Sequence, residues 1–252
     1  MFANACATTK VGPNFNVFRK SMRKIAISDI HGCQKTFVAL LDQLAFSTSD
    51  QLYLLGDYVD RGQDSKGVID HIWALQGAGY QVECLRGNHE DIVLTAQHTL
   101  EGLEKWLQTD GHRTMESFGV RRITDIPEPY LDFMRNLDYW LQVDQYILVH
   151  AGLDFDLIDP FSRPDEMAWI RRWYDQIRYD WLGDRIIVHG HTPTKRSEIE
   201  TMLQHLDQQR YLDIDAGCVF WNFSVREGYG HLCAFDMTNR ALVFQQAVEN
   251  EV

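Results

Sequence analysis

The chain has few cysteines for its 252 residues, and the five it has are widely spaced: Cys6, Cys33, Cys84, Cys218 and Cys233. The count is odd and there is no Cys-x-x-Cys, so neither a disulfide framework nor a thiolate zinc site is indicated. A reducing compartment, the cytoplasm, fits that usage. Basic residues are also scarce, 24 Lys and Arg against 36 Asp and Glu, for a net charge of -12. Broad nucleic-acid binding rests on many cations against phosphates and is not expected. Small phosphorylated substrates stay open, because a few local cations or metal ions suffice for them. No apolar run reaches the roughly 18 residues of a membrane span, so no membrane association is expected. No linker rich in Pro, Gly or Ser divides the chain, and no internal repeat or low-complexity tract is found.

Apolar residues make up 45% and charged residues 24%, enough for an ordinary core. Residues 1–23 have no helical or strand period and lack the apolar stretch of a signal peptide. They read as a loosely ordered extension before a single domain over 24–252.

Five short apolar runs end in polar residues: KIAISDIHG (24–32), QLYLLGDYVDRG (51–62), QVECLRGNHE (81–90), QYILVHAGL (145–153) and RIIVHGHTP (185–193). Such runs, bounded by glycine, read as buried strands. Residues 34–45 and 65–76 carry helical apolar spacing between them. Alternation of this kind predicts an α/β fold with crossover helices. The middle, about residues 91–140, reads as mostly helical, holding DIVLTAQHTLEGLEKWLQ (91–108) and PYLDFMRNLDYWLQ (129–142). Three strands are predicted beyond residue 210, the last two joined at 238–240. Two packed sheets flanked by helices are the expected architecture.

Open α/β sheets place ligands at strand ends. The polar residues there are Asp29 and His31, then Asp57, Asp60 and Arg61, then Asn88, His89 and Glu90, then His150, then His189 and His191. Mixed oxygen and nitrogen donors suit iron, manganese or zinc. Asp29 and His31 are two apart and share a face of an extended strand. Asp57 has two oxygens and could bridge two ions. Spacing alone leaves His189 and His191 equal. Asp64 reads as a turn or helix cap before Ser65. The Asp213/Asp215 pair reads as structural, and the tryptophans, Trp106 among them, as core or groove walls.

The motifs DIHG, GDYVDRG, RGNHE, VHAG and GHTP, in this order over about residues 24–237, resemble the phosphoprotein phosphatase family of metallophosphoesterases in a compact bacterial form. The resemblance implies a calcineurin-like fold, with LDIDAGCVF and LCAFDM in the tail similar to the strands that close the second sheet in bacterial members. It assigns Asp29 and His31 to one metal, Asp57 to both, and Asn88, His150 and His191 to the second. Arg61 would clamp phosphate and Asn88 would also face substrate. His89 with Asp60 would protonate the leaving group. A second clamp is expected in AWIRRW, from Arg171, with Arg172 its competitor. Two ions, manganese in vitro or iron or zinc, would share a water that attacks phosphorus in line.

The implied activity is hydrolysis of phosphoserine, phosphothreonine or phosphotyrosine on protein or peptide partners. Two alternatives are a dinucleoside tetraphosphate hydrolase on the same scaffold and an inactive phosphoprotein-binding module. Glu90 and the Asp60-Arg61 pair favour the phosphatase at this level, because the dinucleotide branch typically carries Asp after Asn-His and lacks Asp-Arg-Gly. An intact ligand set argues against the inactive module.

Overall fold

A computed structural model describes residues 22–220 and 227–249. Most of the expected extension, residues 1–21, and residues 221–226 lie outside them. Arg23 already belongs to the ordered body: its guanidinium holds Asp50 at 2.7 Å and its carbonyl accepts from the Gln51 amide.

Three parallel strands open the fold. They are β1 (Lys24–Ile27), β2 (Gln51–Leu54) and β3 (Gln81–Cys84). Helices α1 (Gln34–Gln43) and α2 (Ser65–Gly77) make the crossovers. Asp64 caps α2 through the Gly67 amide at 2.8 Å, as the sequence suggested.

Four helices follow: α3 (Asn88–Ala96), α4 (Leu100–Gln108), α5 (Gly111–Ser117) and α6 (Glu128–Arg135). The expected continuous helix over 91–108 is broken at residues 97–99, where Thr99 caps α4 through the Gly102 amide. The expected helix over 129–142 stops at Arg135. Residues Trp140–Val143 form β4 instead, because their backbone pairs antiparallel with β5 (Tyr146–Val149). Pairing overrides a helical pattern that short. After α7 (Tyr179–Leu182) come β6 (Ile186–His189), α8 (Arg196–Gln204), α9 (Leu206–Gln209) and β7 (Tyr211–Asp213). A hairpin of β8 (His231–Asp236) and β9 (Ala241–Gln246) ends the described chain.

The strands form two mixed sheets, ordered β3-β2-β1-β8-β9 and β4-β5-β6-β7. Two of the three late strands, those within LDIDAGCVF and LCAFDM, were expected to close the second sheet. Only β7 does so, against β6. Strand β8 pairs antiparallel with β1, Ile25 opposite Asp236, and carries β9 to the edge of the first sheet.

Side-chain alternation explains the layers. Ile25 and Ile27 of β1 face α1 and α2 and pack with Phe37, Leu40 and Val68. Ala26, between them, faces the other way and packs with Leu148, Val188 and Phe235 between the sheets. Ile147 and Val149 cover the outer face of the second sheet with Trp173 and Leu182. This is the two-sheet α/β architecture with flanking helices. The C-terminal ends of β1, β2, β5 and β6 meet at one end of it.

Candidate metal centre

Loops at those strand ends are tied before any side chain acts. The His31 amide donates to the Asp57 carbonyl at 2.8 Å, and the Gly190 amide to the His150 carbonyl at 2.8 Å. Asp29, His31, Asp57, Asp60, Arg61 and His191 all have φ between 45° and 74°. That region is uncommon for non-glycine residues and clusters at functional sites. Gly87 and Gly190 permit close approach. A Cβ on Gly87 would lie 2.1 Å from Asp57 Oδ1, and one on Gly190 2.0 Å from Asp29 Oδ2.

All six expected ligands converge, and all are buried. Asp57 Oδ2 lies 3.3 Å from His31 Nε2 and 3.5 Å from His150 Nε2. His31 Nε2 is 4.0 Å from Asp29 Oδ1. Asn88 Oδ1 is 3.1 Å from His150 Nε2 and 2.8 Å from His191 Nδ1. Two clusters of potential ligands therefore share Asp57: one with His31 and His89, the other with His150 and His191. His89 stands at the margin of the first, its Nε2 4.0 Å from Asp57 Oδ2.

Carbonyls orient two of the imidazoles. His31 Nδ1 faces the Val59 carbonyl at 2.9 Å, and His150 Nδ1 faces the Leu55 carbonyl at 2.9 Å. A carbonyl can only accept, so each Nδ1 donates and each Nε2 is aimed into the site. The buried Asp29 Oδ1 and His191 Nε2 have no protein hydrogen-bond partner. Buried acceptors without donors are costly. They fit a site built to hold cations.

The proton affinities are correspondingly split. Burial pushes His31 well below the usual imidazole range, with the Arg61 charge adding to it. Burial and the neighbouring His150 push His191 down to about 2. For His150 burial acts downward, but the Asp57 carboxylate outweighs it and lifts the group to about 10. Burial likewise acts against the charge on Asp57, yet His150 and His89 hold it well below the usual carboxylate range. His89 is raised: burial opposes, while Asp57 and Asp60 prevail.

Beside the ligands, His89 Nδ1 donates to Asp60 Oδ2 at 2.8 Å. Arg61 reaches in with Nη1 2.9 Å from His31 Nε2. Arg171 is exposed, and its Nη1 donates to Thr192 Oγ1 at 2.7 Å, beside His191. Arg172 is exposed with a left-handed backbone. His189 falls outside the cluster. It is buried under Trp173 and Tyr174, and burial lowers it to about 4.

Asn88, His89 and Glu90 are not on a strand end as expected but form the first turn of α3. Glu90 turns away from the site. Its carboxylate accepts from the amides of Asp57, Tyr58 and Gly87, each at 2.9 Å. It holds the loop that carries Asp57, so its identity says little about substrate, contrary to the weight the sequence reading gave it. Sequence reasoning also missed Ser28, whose hydroxyl binds Asp29 Oδ2, and Trp106 and Thr114, which bind Asp60 Oδ1. Their positions carry no motif, and only the folded contact identifies them.

Known proteins resemble this chain in sequence and in fold. The symmetrical bis(5'-nucleosyl)-tetraphosphatase of Ectopseudomonas mendocina (strain ymp) is 32% identical over 181 residues, 69% of this chain and 60% of that protein. Its namesake from Pseudomonas fluorescens (strain SBW25) is 31% identical over 52% of this chain and 44% of that protein. The match therefore spans less than two thirds of either relative. Bis(5'-nucleosyl)-tetraphosphatase PrpE, asymmetrical, of Bacillus velezensis is 29% identical over 78% of this chain and 84% of its own length. A protein serine/threonine phosphatase structure from Saccharomyces cerevisiae superposes with a TM-score of 0.62 at 15% identity, covering 92% of this chain and 82% of that one. At that identity the likeness concerns the fold alone. The family model described as calcineurin-like phosphoesterase matches residues 22–220, which hold β1 to β7 and all six expected ligands. The chain belongs to the calcineurin-like phosphoesterase family.

Proposed function

We propose that this chain is a dinuclear phosphoester hydrolase that cleaves dinucleoside polyphosphates at a phosphoanhydride bond. The observation that carries the hydrolase reading is Asp57 Oδ2, within 3.5 Å of ligating nitrogens on both sides. Asp29, His31 and Asp57 would hold one divalent ion; Asp57, Asn88, His150 and His191 would hold the other. A bound pair supplies Lewis acidity to phosphoryl oxygens and lowers the pKa of water.

The remaining work falls to side chains. Arg61 and Arg171 bind the equatorial phosphoryl oxygens, for which a guanidinium fork is suited. Asn88 helps orient the phosphoryl group. Asp60 fixes the His89 ring so that its Nε2 edge faces the departing oxygen.

The substrate class is supported by the relatives, whose names give dinucleoside tetraphosphates. It is also supported by the backbone role of Glu90, which removes one of the sequence arguments against it. A phosphoserine or phosphothreonine peptide is the second reading. The His89–Asp60 pair favours it, because an alkoxide needs a proton to depart more than a nucleotide phosphate does.

Diadenosine tetraphosphate and a phosphoserine peptide, assayed side by side with Mn²⁺, separate the two. The dinucleotide is expected to give a kcat/KM about tenfold or more above the peptide. Chromatography of the products then shows whether the cut is symmetrical. Preference for the peptide would reverse the assignment, and full activity in chelator-treated protein would reject the dinuclear reading.

A further inference from the structure

Asp60 lies in the loop after β2 with φ 68°, and its contacts come from far along the chain. Its Oδ2 accepts from His89 Nδ1 at 2.8 Å. Its Oδ1 accepts from the Trp106 indole Nε1 at 2.8 Å and from the Thr114 hydroxyl at 2.7 Å. The Asp60 amide donates to Thr114 Oγ1 at 3.0 Å and to Ser65 Oγ at 3.1 Å. Trp106 and Thr114 are fully buried, on α4 and α5 respectively, outside both sheets.

We propose that Trp106 and Thr114 are positioning residues that fix the Asp60 carboxylate, and through it the His89 ring, against rotation. This rests on the phosphoester-hydrolase part of the reading above. An indole has a single donor and a threonine hydroxyl a single hydrogen. Both are aimed at the one oxygen that His89 does not use. The Thr114 lone pairs meanwhile take the Asp60 amide, so the same hydroxyl clamps backbone and side chain together. The indole has little room to shift: a Cβ on Gly111, at the start of α5, would lie 2.4 Å from its ring carbons. A buried Trp N–H needs some acceptor. A purely structural indole would not require a second donor on the same oxygen of the carboxylate that orients His89.

Three variants test the assignment. Trp106→Phe keeps most of the ring volume and removes the donor. Thr114→Val keeps the shape and removes the hydroxyl, and Thr114→Ser restores it. Each is assayed with phenyl phosphate, whose leaving group is poor, and 4-nitrophenyl phosphate, whose leaving group is good. Loss of orientation at His89 should lower kcat for phenyl phosphate about tenfold, below the about 10²-fold or more expected for losing the acid itself. KM and turnover of the nitrophenyl ester should change little, and Thr114→Ser should match the parent.

The second readout is the His89 Nδ1 proton, followed by NMR in protein loaded with diamagnetic Zn²⁺. Its resonance should shift or broaden by exchange in Trp106→Phe and Thr114→Val and stay in place in Thr114→Ser. Equal losses on both esters, or an unmoved resonance, would overturn the proposal. If Trp106→Phe fails to fold, Thr114→Val decides. If the parent cleaves neither ester, the hydrolase reading is in doubt while the resonance still reports on the positioning.

Discussion

Arg61 Nη1 lies 2.9 Å from His31 Nε2, the one ring nitrogen that His31 does not commit to the Val59 carbonyl. The guanidinium thus rests on the very lone pair that an ion would take. An ion held by His31 would take that lone pair and leave the guanidinium free to bind phosphate. Arg61→Ala should therefore leave metal content intact while weakening phosphate. Inhibition by inorganic phosphate should lose about 1.5–3 kcal/mol, the worth of a hydrogen bond to a charged group. Elemental analysis and a phosphate inhibition curve check both halves. Lost metal would make Arg61 a structural support instead.

Asp57 is the hinge of the two clusters. Its Oδ2 serves His31 and His150, and its Oδ1 accepts from the His89 amide at 3.0 Å. Asp57→Asn keeps the size and one oxygen but removes the charge both ions would share. Metal stoichiometry should fall toward zero rather than from two to one, with activity lost in step. Retention of one tightly held ion would show that the clusters load independently.

The expected ligand set was legible because each of its members sits within four residues of the end of a short apolar strand, and glycines mark the turns. His150, directly after β5, is the clearest case, whereas Asp29 and His31 lie beyond β1 with left-handed φ rather than on one face of an extended strand. Strand β4 was not legible, because Trp140–Val143 is extended only through its partner β5, and nothing local opposes a helix there. The destination of β8 was not legible either: its pairing with β1 bridges some two hundred residues of sequence. His191 could not be separated from His189 by spacing. Only the fold turns one toward Asn88 and the other under Trp173. Trp106 read as core, which it is, but its N–H and its acceptor lie 46 residues apart.

The choice between adjacent arginines is sharper in the structure. Arg171 donates to Thr192 and its charge acts on His191, so its head group is at the rim of the centre. No such contact ties Arg172 to the centre among the described residues, and its backbone is left-handed. Arg171→Ala should raise KM and cost about 1.5–3 kcal/mol in transition-state binding, by the worth of a charged hydrogen bond. Arg172→Ala should be close to parent in steady-state kinetics. The opposite ranking would exchange the two roles.

Glu90 offers a test of substrate reasoning that does not depend on any relative's name. Its Oε2 accepts from the amides of Asp57 and Gly87, and its Oε1 from that of Tyr58. In Glu90→Gln the amide nitrogen must face at least one of these N–H groups, leaving a buried donor unmatched. That costs about 1–3 kcal/mol and should appear as a lower denaturation midpoint with an unchanged slope. Metal affinity should weaken with it, because the loop bearing Asp57 loses its anchor. Relative turnover of dinucleotide and phosphopeptide should stay within about twofold of the parent ratio, since both substrates meet the same displaced loop. A large swing in that ratio with unfolding unchanged would mean that Glu90 senses the substrate after all, and would restore it as a mark of the phosphatase branch.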